Sequence, residues 1–171
     1  MTTSTLQLPL HGLRSHLLLW GYRVTYPLYA KLHWRPRPVW QVRLPDLLRL
    51  PPGSLGYRLG QFLQQNALHL MPGFENHDVF HVLLDYRTSA PAEVAMQWCL
   101  LGNGKRSLYC FLCALTGAAL FPEHWVALRK AYRRGRKMRR FHHWYFEYLL
   151  RENRAEMLAF LNYKETQYVN I

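Results

Sequence analysis

Acidic residues are scarce in this sequence. Only 10 Asp and Glu residues stand against 22 Lys and Arg residues in 171, which gives a formal net charge of +12. A strongly basic chain favours an anionic partner, but composition does not distinguish nucleic acid, anionic lipid headgroups and a small acidic molecule. The chain is also 50% hydrophobic and 15% aromatic. That apolar content excludes a wholly disordered basic tail.

Cysteine and long apolar runs are also scarce. The three cysteines, Cys99, Cys110 and Cys113, are too few and too clustered for a disulfide framework, so we expect buried thiols in a reducing compartment. The longest apolar stretch, residues 108–121, is too short to span a bilayer. Residues 1–45 contain no acid, a feature shared with transit peptides. An ordinary N-terminal helix with a basic surface is the favoured interpretation.

No internal repeat, low-complexity tract or Gly/Ser linker divides the chain. We therefore expect a single helical domain over 1–171, with an N-terminal helix and a Pro-rich connector in 1–43. Helical spacing of apolar residues between Pro and Gly breaks predicts about seven helices and no convincing strand, an all-α fold. The predicted helical segments are 11–32, 44–50, 54–67, 75–84, 91–101, 107–120, 123–135 and 144–161.

A group of potential metal ligands follows the break at Gly73. His77 and His81 are four residues apart, so a helix places both imidazoles on one face, with Asp78 beside them. Glu93, in the next predicted helix, can complete a mixed nitrogen and oxygen set. This set suits zinc or another divalent first-row metal better than calcium.

The same residues also have an interpretation without a metal. His77 and His81 could be ordinary histidines of the core or surface, and Asp78 an acid near a helix start. Glu93 could complement the helix dipole behind Pro91. The sequence leaves both interpretations open.

Three segments resemble the fourth coenzyme Q biosynthesis protein family, the Coq-four family. The first is the pattern His77-Asp78-x-x-His81, then eleven residues, then Glu93. The second is LPPGSLGYRLGQF over 50–62, and the third is AYRRGR over 131–136 followed by an aromatic and acidic segment. Together they lie within about residues 44–160. The chain departs from the family's usual pattern at 85–88 and at Ala92, whereas all four ligand positions are intact.

The resemblance implies a metal enzyme of quinone biosynthesis. His77, Asp78, His81 and Glu93 would bind the metal, with zinc expected, and Asp78 and Glu93 are also the expected catalytic residues. The implied reaction removes the C1 carboxylate of a prenylated hydroxybenzoate, as a carboxy-lyase or in an oxidative version. If all four side chains bind tetrahedral zinc, no position stays open, so one carboxylate acts as acid or base or the coordination number rises. The alternative is a non-catalytic lipid-binding scaffold that organises other quinone-biosynthesis enzymes.

The resemblance also implies a lipid tail and a membrane. Leu55, Leu59 and Phe62 are the expected lining of a tunnel for the prenyl tail of an aromatic quinone precursor, although core packing explains them equally well. Expected partners are other quinone-biosynthesis proteins and a membrane surface, to which the protein binds peripherally. That surface is the cytoplasmic face of the membrane in a bacterium or the matrix side of the mitochondrial inner membrane in a eukaryote. The oligomeric state stays open, a homo-oligomer included.

Cationic residues concentrate in one C-terminal segment. Its aromatic neighbours Phe141, Trp144, Tyr145 and Phe146 favour contact with a membrane or an anionic substrate, and a solvated helix face is an equal alternative. We expect no nucleic acid, because only Tyr132 interrupts the basic run and no known binding motif is present. The residues predicted to contact a membrane or an anion are Arg133, Arg134, Arg136, Lys137, Arg139 and Arg140.

Overall fold

The structure, a computed structural model, describes residues 39–162 together with Gly12 and Arg14. The predicted first helix and Pro-rich connector therefore lie outside the described residues, apart from Gly12 and Arg14, which are helical. Residues 39–162 contain seven α-helices, two short 3-10 helices and no sheet, so the all-α prediction is confirmed. The α-helices are α1 (Leu44–Leu48), α2 (Leu55–Gln65), α3 (Glu75–Leu84), α4 (Ala90–Gly102), α5 (Leu108–Leu120), α6 (Trp125–Lys137) and α7 (Arg154–Asn162).

Local signals explain most of the helix boundaries. Ser54 caps α2 by accepting a hydrogen bond from the Tyr57 backbone N–H at 3.2 Å. Asp85 ends α3 in the left-handed conformation, with φ of 59°. A proline lies in the first turn of α4, where its missing N–H has no intrahelical partner to lose.

The prediction of one continuous helix over 144–161 is wrong. A 3-10 helix at Phe146–Leu149 and the short α7 replace it. Between them the chain turns at residues 150–152, and its carbonyls cap α2: the backbone N–H of Leu55 donates to the Glu152 carbonyl at 2.8 Å, and that of Gly56 to the Leu150 carbonyl at 2.8 Å. A continuous helix would use both carbonyls for its own ladder, so this long-range capping breaks it.

Helix α4 occupies the centre of the fold and packs mainly against α5 and α6. Its approach to α6 depends on two glycines. A Cβ on Gly135 would clash with the Cys99 carbonyl, and one on Gly102 would clash with the Tyr132 carbonyl. On the other side of the fold α2 packs against α1 and α3, and α3 also meets α7. The core therefore runs through all these helices, and α3 and α4 carry the predicted ligands.

Helix α5 is apolar and short. Among the described residues, no single helix is long and apolar enough to cross a membrane. The segments Leu108–Leu120 and Pro122–Lys137 have the length and apolar composition of a span only when taken together, and the chain bends by 104° between them. The two cysteines of α5, Cys110 and Cys113, are buried, as is Cys99 in α4. This confirms the prediction of buried thiols.

Candidate metal centre

Two histidines on one face of α3 form the first half of the site. Gly73, at φ of 83°, turns the chain just before α3 begins at Glu75. One helical turn separates His77 from His81, and their Nε2 atoms lie 3.2 Å apart. Their rings meet edge to face with centroids 4.9 Å apart. The spacing of four residues thus places both Nε2 atoms at one point, as predicted.

The carboxylate of Glu93 completes the cluster from the first turn of α4. Its Oε2 lies 3.0 Å from Nε2 of His81, and its Oε1 lies 3.5 Å from Nε2 of His77. One ligand atom from each of the three residues lies within 4.8 Å of the other two. The structure therefore joins His77, His81 and Glu93 across two helices.

Two hydrogen bonds orient these side chains from outside the cluster. The backbone carbonyl of Tyr86 lies 3.0 Å from Nδ1 of His81. Because a carbonyl only accepts, Nδ1 carries the proton and, in the neutral ring, Nε2 presents its lone pair to the cluster. The buried amide of Gln97 donates to Oε1 of Glu93 at 2.9 Å. Neither partner was predicted from the sequence, although Gln97 follows Glu93 by one helical turn and that spacing could have indicated the bond.

Burial and charge oppose each other at this site. Burial raises the pKa of Glu93, but the charges and hydrogen bonds of His77 and His81 outweigh it and hold that pKa well below its usual range. Burial likewise disfavours charged His81, but the hydrogen bond and charge of Glu93 raise the pKa of His81 above its usual value. Glu93 is therefore an anion in the folded protein, and it favours the charged form of His81.

Asp78 is not one of the three converging residues. Desolvation raises the pKa of its carboxyl to about 6, opposed by the charges of His77 and His81 and assisted by Glu93. Its charge is thus coupled to the cluster. Neighbouring Glu75 is buried and accepts a hydrogen bond from the backbone N–H of Trp40 at 3.4 Å.

The three side chains form a group that could hold a metal ion. Two imidazoles and a carboxylate are a donor set that zinc uses in sites with a further position for water or substrate. The Tyr86 carbonyl and the Gln97 amide supply the outer hydrogen bonds that hold such ligands in orientation. The side chain of His81 is only 4% exposed, whereas that of His77 is 29% exposed, so the cluster is reached from the His77 side.

The predicted lipid-binding residues differ in their surroundings. Leu55 and Leu59 are fully buried within the core. Phe62 is half-buried, and its ring stacks on His81 with centroids 5.4 Å apart and planes 18° apart. Of the three, Phe62 thus provides an apolar wall directly at the cluster.

The predicted contact residues of the basic segment fall into two groups. Arg134 is half-buried and donates to the Leu84 carbonyl at 2.8 Å, at the end of α3. The guanidinium of Arg139 lies 4.4 Å from the ring centre of Phe160. The exposed members are Arg133, Arg136, Lys137 and Arg140. A cleft of about 450 Å³ is lined by Lys130, Arg133, Arg134, Lys137 and Asn162.

The aromatic run beside the basic segment is not the exposed apolar surface that the sequence predicts. Phe141 and Phe146 are fully buried, and both pack edge to face against Phe80 of α3. Tyr145 and Tyr148 are exposed. The buried rings therefore belong to the core.

Comparison with known proteins adds a structural relative. No protein-family model and no curated protein matches the sequence. The fold is similar to the crystal structure of a "Putative ubiquinone biosynthesis protein" from Nostoc punctiforme PCC 73102, with a TM-score of 0.62 and 18% sequence identity. The match covers 91% of this chain and 82% of that chain. At this identity the likeness shows the fold. Membership of the Coq-four family stays a prediction.

Proposed function

We propose that this protein is a metal-dependent carboxy-lyase of quinone biosynthesis, acting on a prenylated hydroxybenzoate at a membrane surface. The observation that carries the proposal is the convergence of His77, His81 and Glu93 on one point, oriented from outside by Tyr86 and Gln97. The similarity in fold to a protein described as belonging to ubiquinone biosynthesis supports the choice of substrate class.

The chemistry divides between the cluster and its neighbours. A zinc-type ion held by His77, His81 and Glu93 would supply Lewis-acid stabilisation of negative charge on the substrate. Loss of carbon dioxide from C1 leaves an electron pair on the ring, and that carbon then takes up a proton. Asp78 is the proposed proton donor or further ligand, because its carboxyl interacts with all three members of the cluster. Phe62 would exclude water beside His81.

The prenyl tail and the membrane complete the proposal. Phe62 is the proposed contact for the part of the tail nearest the ring, with Leu55 and Leu59 behind it on the same helix. Peripheral attachment to an anionic membrane would bring the enzyme to a substrate that partitions into lipid. Other quinone-biosynthesis proteins are the proposed neighbours there.

The first test measures metal content and turnover in matched variants. We expect one zinc-type ion per chain in the wild-type protein, and at least about a tenfold loss of affinity in H81A and E93Q, since each removes a charged or lone-pair ligand. H69A is the control, because His69 is an exposed histidine before Gly73. Metal content that survives H77A, H81A and E93Q would exclude the site.

Turnover separates the enzyme from a scaffold. We expect the purified wild-type protein to release carbon dioxide from a prenylated hydroxybenzoate. H81A should lose this activity and H69A should retain it. Lipid that co-purifies with a metal-loaded protein showing no turnover would instead support the scaffold.

A further inference from the structure

The outer face of α5 is apolar and exposed. Leu108, Phe111, Leu112 and Leu115 are 55, 53, 45 and 56% exposed. Their spacing of three, one and three residues places them on one side of the helix. We call these four residues the α5 stripe. The opposite side, which includes Cys110, Ala114 and Gly117, is buried. Helix α5 is therefore apolar on the side that faces water, unlike an ordinary surface helix.

The α5 stripe has the size of a functional patch. Four side chains that are each about half exposed present on the order of 400 Å² of apolar area, which lies in the range of functional patches on monomers. A stable protein complex buries about 800 Å² on each partner. The stripe by itself is therefore small for a protein interface, whereas a few apolar side chains suffice to enter the boundary between headgroups and acyl chains.

The positive charge of residues 105–140, the part of the sequence that contains α5 and α6, favours a lipid partner over a second copy of the chain. Between residues 105 and 140 there are ten Lys and Arg residues and a single acid, Glu123. That acid accepts a hydrogen bond from the guanidinium of Arg14 at 3.0 Å, so it does not offset the other cations. In a two-fold contact between copies the same patch faces itself, so two positively charged segments would lie close together and repel each other. Anionic lipid headgroups would instead be attracted to them.

We propose that the α5 stripe is the membrane-docking element, which inserts into an anionic bilayer while the exposed cations of 105–140 contact the headgroups. The proposal takes its biological setting from the proposed function but is carried by the exposure and charge of α5 and α6. It assigns membrane contact to a helix for which the sequence predicted only buried thiols. The basic segment keeps an electrostatic role, while the apolar contact moves from residues 141–146 to α5.

The test is sedimentation of the full chain with vesicles of phosphatidylcholine alone or of an equimolar mixture with phosphatidylglycerol. The F111Q/L115Q variant replaces two stripe residues by good helix formers. The matched control is Y145Q/Y148Q, because these two aromatic side chains are 63 and 78% exposed outside the stripe. We expect binding of the mixed vesicles to weaken about tenfold or more in F111Q/L115Q and by at most about twofold in the control.

Salt dependence and the oligomeric state test the proposal further. Raising the salt concentration should weaken wild-type binding to the mixed vesicles, since the headgroup attraction is screened. Equal binding by wild-type and F111Q/L115Q protein, or no wild-type binding, would overturn the proposal. So would a wild-type dimer that F111Q/L115Q dissociates without any vesicle binding, because the stripe would then be covered by a second copy. Metal content is measured on the same samples, so loss of the metal centre and loss of docking are distinguishable.

Discussion

Both ring nitrogens of His81 have partners, and the two partners have different consequences. The Tyr86 carbonyl at Nδ1 fixes the tautomer, and Glu93 at Nε2 draws the ring toward the cluster. Glu93 in turn accepts a hydrogen bond from Gln97, one helical turn further along α4. Orientation at this site thus depends on residues that would not themselves bind a metal.

Replacing Gln97 tests that dependence. Q97L keeps the volume of a side chain that is only 2% exposed but removes the N–H that holds Glu93. We expect about a tenfold loss of metal affinity at unchanged stoichiometry, measured by competition with a chelator. Q64L, at an exposed position of α2, is the control. Unchanged affinity in a folded Q97L protein would contradict the positioning role.

At the scale of helices, the site depends on how the end of α3 is held. Arg154 of α7 donates to the Val82 carbonyl at 2.7 Å and pairs with Asp85 at 2.6 Å. Arg134 of α6 donates to the Leu84 carbonyl, and its guanidinium lies 5.5 Å from the ring centre of Tyr86. Two arginines from different helices thus satisfy two of the last four carbonyls of α3, beside the residue that orients His81.

Two neighbouring arginines of α6 should therefore behave differently. R134M leaves the Leu84 carbonyl without its donor and should lower the free energy of unfolding by about 1–3 kcal/mol. R133M removes an exposed cation of the same helix and should change it by at most about 0.5 kcal/mol. Urea denaturation of both variants provides the measurement. Equal effects would mean that the contact of Arg134 with α3 contributes no stability.

At the scale of the whole molecule, the metal ligands join two parts of the fold. His77 and His81 belong to α3, which packs with α2 and α7, and Glu93 belongs to α4, which packs mainly with α5 and α6. A ligand bound only by the folded state stabilises it by mass action. Metal binding should therefore strengthen the connection between the two groups of helices.

Thermal unfolding with and without metal checks this expectation. At a free zinc concentration about 100 times the Kd, the folded state should gain about 2.7 kcal/mol, seen as a rise in Tm that a chelator reverses. H81A should show no such rise, whereas H69A should behave like the wild-type protein. A wild-type Tm that is indifferent to both zinc and chelator would contradict the linkage.

The sequence by itself determined the features that depend on neighbours along the chain. Helical periodicity with Pro and Gly breaks predicted α2 to α6 closely, because apolar spacing, caps and turns act over a few residues. The four-residue spacing of His77 and His81 was enough to place them together, because one helical turn fixes their separation.

Only the tertiary structure decided which distant groups meet. Glu93 reaches the histidines because the direction of α4 is set by its packing on α5 and on α6, where Gly135 allows the close approach. Asp78 is outside the converging set. The 144–161 helix was lost to capping of α2 by a segment about 100 residues away in sequence. Phe146 became core and the α5 stripe became surface for the same reason: burial depends on which helices pack together, and hydrophobicity alone does not specify the partner.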